Sequence, residues 1–137
     1  MKASIVGTWV AIALVGCASS PPANIDAAPL VQVDEVTSSP GTYEVALLAH
    51  GTSPVRGLHV MELVITQDGA GVDGLTLDIV PWMPAMGHGT SLTPEVTDLG
   101  SGVYEVEDLD LFMAGTWQLR TSFGSPAVAA APGLEIQ

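Results

Sequence analysis

The strongest constraint on this chain is an apolar period of two. Trp117, Leu119, Thr121 and Phe123 alternate with Gln118, Arg120 and Ser122, and Tyr43, Val45, Leu47 and Ala49 keep the same beat. Such alternation puts one row of side chains on a buried face and the other in solvent, the signature of a half-buried strand. No window sustains a 3.6-residue period. Gly (15) and Pro (10) punctuate the 137 residues at short intervals, which suits short strands joined by turns better than helices.

Along the chain the pattern predicts a strand through Tyr43–Ala49, a turn at Gly51–Pro54, and a strand over Leu58–Gln67. The last is apolar on both faces and so central. Asp68-Gly69 reads as a turn, and Leu75, Leu77 and Ile79 as one face of a third strand. Pro81–Gly102 reads as a long loop. Tyr104 and Val106 keep one phase, whereas Leu109, Leu111 and Met113 keep the other. A change of phase inside one strand predicts a bulge near Glu107-Asp108. Ala114-Gly115 is a turn, Trp117–Phe123 a strand, and Leu134–Ile136 a short last strand. The expected fold is all-β, an immunoglobulin-like sandwich of about six or seven strands over residues 41–137 with Trp117 in its core.

The first residues read as an address. Met1-Lys2 precedes an apolar run, Ala3–Val15, and then Gly16-Cys17, the layout of a secretory signal peptide. At roughly 13 residues the run is short for a ~30 Å hydrocarbon core. Leu14-Val15-Gly16-Cys17 resembles the bacterial lipobox, in which the cysteine is lipidated and the chain is cut just before it. The resemblance implies a signal peptide over 1–16, lipidation at Cys17 and membrane attachment through its acyl chains. Residues 17–40 are rich in Ser, Pro and Ala and read as a tether, in which Val31-Gln32-Val33 pairs only weakly as a strand. Ala18 follows the cysteine where an acidic retention signal would stand, so the expected location is the bacterial envelope, at the outer membrane facing the periplasm.

Charge narrows the function. Lys and Arg number 3 against 15 Asp and Glu, for a net charge of −12. Nucleic-acid binding requires a basic footprint and is excluded as a partner class. The single cysteine rules out an internal disulfide and any zinc site of several thiolates. No nucleophile elbow, phosphate loop or H-E-x-x-H is present, and no enzyme is expected. Glu105, Glu107, Asp108 and Asp110 alternate with apolar residues, as on a solvated strand face.

One segment carries chemistry: Trp82-Met83-Pro84-Ala85-Met86-Gly87-His88-Gly89. Thioethers are soft ligands that select Cu(I), and imidazole binds copper readily. Pro84, Gly87 and Gly89 allow the loop to fold back so that Met83, Met86 and His88 converge. Trp82 can then stack over a bound ion as a lid. Further donors are His59 and Met61, an H-x-M pair whose side chains share a strand face, and Met113 before the Ala114-Gly115 turn. The same residues also suit a hydrophobic plug at the open end of a sandwich, since methionine is a common core filler.

The run 82–89, then Pro94, Gly102-Val103-Tyr104 and Leu111-Phe112-Met113-Ala114-Gly115-Thr116-Trp117-Gln118-Leu119, resembles the YtkA-like domain family over residues 42–123. That family shows an M-P-x-M-x-H loop, a G-x-Y strand start and an F-x-M-x-G-x-W strand pair. Ala114 stands where the family usually has proline. The resemblance, shared with FixH-like proteins, implies a copper-associated, extracytoplasmic immunoglobulin-like domain with Met83, Met86 and His88 on the family loop. Two functions follow: a lipid-anchored Cu(I)-binding protein serving a copper-handling partner, or a non-catalytic interaction module of a membrane-associated complex with the M-P-x-M loop as plug.

Overall fold

The computed structural model describes residues 28–51, 54–124 and 127–137. The leader, Cys17 and most of the expected tether lie outside the described residues. Among the described residues there is no helix, and none therefore long and apolar enough to cross a membrane. The described residues form eleven strands in two antiparallel sheets stacked as a sandwich.

The first sheet holds β1 (Leu30–Thr37), β2 (Glu44–His50), β3 (Gly57–Gln67), β8 (Val103–Leu111) and β7 (Glu95–Gly100) in that order, with β4 (Ala70–Gly71) beside β3. The second holds β10 (Val128–Ala130), β9 (Gly115–Phe123), β5 (Asp78–Met83) and β6 (His88–Gly89), with β11 (Gly133–Ile136) also against β9. The alternation expected for β2 and β9 is present: Val45, Leu47 and Ala49 face Trp117, Leu119 and Phe123 across one core. Strand β3 is central as expected, buried at Met61, Leu63 and Ile65 and half-exposed on its other face. The β3–β4 turn takes positive φ at both Asp68 (51°) and Gly69 (78°), the mirror-image turn whose twist suits a tight hairpin.

The phase change in β8 is a bulge at the expected place. His59 pairs with Leu109 and Met61 with Val106, so β8 carries one more residue than β3 over that stretch. Asp108 absorbs the irregularity at φ 56°. The bulge turns Tyr104, Val106, Leu109 and Leu111 all toward the core, each with no exposed surface. A regular strand would have put the last two in solvent.

Three expectations are corrected. The tether does not extend to residue 40, because Leu30–Thr37 pairs with β2 along its full length. Its apolar residues are spaced by a bulge between Gln32 and Asp34, which hides the alternation from a period-of-two reading. Nor is Pro81–Gly102 one loop, since it contains the end of β5, all of β6 and all of β7. Strand β5 runs through Pro81 because that residue's carbonyl lies on the β6 side, where Gly89 packs. A residue's N and O point the same way in a strand, so the absent N–H is not lost from the β5–β9 ladder. Strand β7 is an edge, exposed at most positions and polar, so its sequence lacks the apolar signal of an interior strand. Finally, short edge strands raise the count above six or seven.

Two contacts tie the sheets along one side. Ser39 and Ala129 exchange backbone hydrogen bonds of 2.8 and 3.1 Å, and the Gly133 N–H donates to the Asp34 carboxylate at 2.7 Å. At the start of β8, the buried Tyr104 hydroxyl donates to the Val72 carbonyl (2.6 Å) and accepts from the Leu75 N–H (3.1 Å). Burial pushes this phenol above its ordinary value, and the Asp98 and Asp73 carboxylates push the same way. Asp98 accepts from the Gly74 N–H (2.7 Å) and the Gly100 N–H (2.9 Å), which hold its carboxyl below the usual carboxylate range.

Candidate functional site

The M-P-x-M-x-H segment is a tight hairpin at the opposite end of β8 from Tyr104. Met83 of β5 pairs directly with His88 of β6, and Trp82 with Gly89. Pro84 presets the first corner, and Gly87 closes the turn at φ 66°. The Met86 and Gly87 N–H groups both donate to the Met83 carbonyl, at 3.2 and 3.0 Å. Gly89 is required here, because a Cβ on it would meet the Pro81 carbonyl oxygen at 2.5 Å.

Directly opposed residues of an antiparallel pair share a face, with Cβ atoms about 4.5–5.5 Å apart. Met83 and His88 therefore share the inner face, and Met86 sits at the tip of the turn between them. Their exposures differ: Met83 is 3 % exposed and Met86 55 %, with His88 half-buried. The Met83 methyl occupies the space left by Gly115, where a Cβ would come within 2.7 Å of it.

The imidazole is held from two sides. His88 Nδ1 lies 3.1 Å from the Gly89 carbonyl. A carbonyl only accepts, so in the neutral ring Nδ1 carries the proton and Nε2 keeps its lone pair free to act as a ligand. The ring also stacks on Phe112, with centroids 5.9 Å apart and planes 12° apart. Phe112 in turn meets Trp117 edge-on at 5.7 Å. Trp117 is fully buried, as expected, and its indole N–H donates to the Met113 carbonyl at 2.9 Å. The β8–β9 turn is thus fixed by a core tryptophan and presents Phe112 to His88. Sequence reasoning did not select Phe112 as a site residue. Its place in the F-x-M-x-G-x-W run was the available signal.

Other expected residues lie elsewhere. Trp82 is no lid over the Met83–His88 face. Successive strand residues point to opposite sides, and its ring packs against Arg120, whose Cζ lies 4.6 Å from the ring centroid. Met61 has no exposed surface and belongs to the core. His59 spends its Nε2 on the Val55 carbonyl. Met113 is half-buried at the β8–β9 turn and packs against the core. Among the described residues no three His, Cys, Asp or Glu side chains group to hold a metal ion, so the donor set of this hairpin is thioether and imidazole alone.

No curated protein and no solved structure matches the chain. The family model described as YtkA-like matches residues 37–122, which takes in β2 through β8, the Met/His hairpin and nearly all of β9. The chain belongs to the YtkA-like family.

Proposed function

We propose that this chain is a lipid-anchored extracytoplasmic binding protein that takes Cu(I) as cargo at Met83, Met86 and His88. The observation that carries the reading is the pairing of Met83 with His88 across a turn that holds Met86. Two thioethers and an imidazole on one hairpin form a soft donor set matched to Cu(I). Thioethers need no deprotonation, so binding at the sulfurs persists in mild acid. An arriving ion meets Met86 first, at the surface. Met83 lies beneath, and His88 offers Nε2 from a ring fixed by Phe112 and the Gly89 carbonyl. The acidic surface of the chain draws cations toward it. What the family resemblance implies, an exported domain near copper-handling systems, points the same way. Lipidation at Cys17 would hold the domain at the envelope beside a partner that supplies or removes the ion.

A second reading is favoured by one observation. Met83 is buried with its methyl against Gly115, as in a plug that closes the sandwich end of a non-catalytic interaction module. A Cu(I) competition titration against a chromophoric chelator separates the two. The copper reading expects one ion per chain, weakened by Met86→Ala, whose exposed side chain can be removed without opening the core. Absence of competition, together with a Met83→Ala chain that melts lower, would leave the plug reading standing.

A further inference from the structure

The outer face of the second sheet carries a groove of about 680 Å³ that the Met/His hairpin does not use. Val80, Trp82 and Arg120 form its floor, and Ser39 and Ala129 part of its wall. Val80 is 46 % exposed, an uncovered apolar side chain in the middle of a strand. The wall is firm, because Ser39 and Ala129 are joined by their two backbone hydrogen bonds. The guanidinium stacked on Trp82 belongs to one of only three Lys or Arg residues in a chain of net charge −12. The guanidinium lies over the indole ring, and among the described residues it makes no ion pair and no side-chain hydrogen bond.

We infer that this groove binds a small organic monoanion, a carboxylate carrying an apolar body. The carboxylate pairs with the guanidinium edge of Arg120, a planar match of two parallel hydrogen bonds. The apolar body covers Val80 and Ala129. The volume is that of a site for one small molecule. Asp78 lines the same groove and the chain carries a net charge of −12, a field that opposes any anion and a dianion about twice as strongly, so only a single carboxylate paired directly with Arg120 is accommodated. The same repulsion opposes a second copy of this chain at this face. Trp82 and Met83 point to opposite sides of β5, so the inference stands independently of the copper reading.

The test uses the full-length chain in a nanodisc of uncharged lipid, labelled with 5-fluorotryptophan. Cleaved before Cys17, the anchored chain keeps two tryptophans, Trp82 and Trp117, whose two fluorine signals are assigned by Trp82→Phe. Titration with 4-phenylbutyrate and with octanoate should move the Trp82 signal and leave that of buried Trp117 in place. The 4-phenylbutyramide analogue should bind about ten- to a hundredfold more weakly, the range for losing a hydrogen bond to a charged group. Arg120→Met keeps the apolar stem and should bring acid and amide to equal affinity. The inference is overturned if neither carboxylate moves Trp82 up to its solubility limit, if the amide binds as well as the acid, or if Arg120→Met changes nothing. It is equally overturned if the signal shifts only with protein concentration, which would make this face a contact between copies, or only with an acidic peptide.

Discussion

His88 and Phe112 lie nearly parallel, with ring planes 12° apart and centroids 5.9 Å apart. Phe112 comes from the β8–β9 turn and His88 from the short β6, so the stack joins the end of one sheet to the edge of the other. It fixes the imidazole plane while the Gly89 carbonyl fixes the tautomer. A ligand-bearing ring held in this way is pre-oriented, much as partners around metal-binding histidines orient theirs.

Removing the stack should therefore loosen the ion site more than the fold. Phe112 is 44 % exposed, so Phe112→Ala should cost only about 1–3 kcal/mol of stability, the scale of its two aromatic contacts with His88 and Trp117. Cu(I) affinity should fall by about tenfold or more, and Phe112→Tyr should restore it. Chelator competition and thermal melts on the three chains read the two effects separately.

The two loop methionines should separate just as clearly. Met83→Ala opens a buried space and should cost about 2–5 kcal/mol. Met86→Ala, at an exposed turn, should stay within about 0.5 kcal/mol. Denaturant unfolding gives both numbers. Equal costs would contradict the burial of one and the exposure of the other.

Gly115→Ala should be destabilising by about 1–3 kcal/mol, because φ there is 124° and the new methyl lands on that of Met83. The clash should be relieved in the Gly115→Ala/Met83→Ala pair while the backbone strain remains. The double-mutant cycle should accordingly show a coupling of about 0.5 kcal/mol or more between the sites.

The far end of the sandwich should carry the pH dependence. Tyr104 has a folded value above its unfolded one, so its contribution is whole below about pH 10, the ordinary tyrosine range. It is lost as pH rises through the folded value. Tyr104→Phe removes two hydrogen bonds and should cost about 1–3 kcal/mol at neutral pH, with a weaker alkaline slope. Asp98 has the opposite sign. Its folded value is depressed, so its contribution is present above the ordinary carboxylate range and is lost as pH falls through the folded value. Amide exchange at Gly74 and Gly100 should quicken in acid, and Asp98→Asn should bring that quickening to neutral pH.

Cys17 should govern attachment. In a bacterial host, Cys17→Ser should leave the chain uncut before residue 17 and without acyl mass. Mass spectrometry of the membrane fraction reads both features at once.

The sequence determined the fold class and several details of local geometry. Alternation in β2 and β9 set which side chains face inward, and the phase change of β8 marked its bulge. Both are legible because strand periodicity is a property of neighbouring residues. Family membership and the Met/His run were legible for the same reason. The edge strands were not. β1 is masked by its own bulge, β7 by its polarity and the end of β5 by Pro81, and each forms because a partner strand supplies the hydrogen bonds. The tertiary structure alone decided that Trp82 turns outward to Arg120, that Met61 belongs to the core, and that Phe112 meets His88. Those outcomes depend on which side of a strand meets another sheet, and that relation joins residues far apart in the chain.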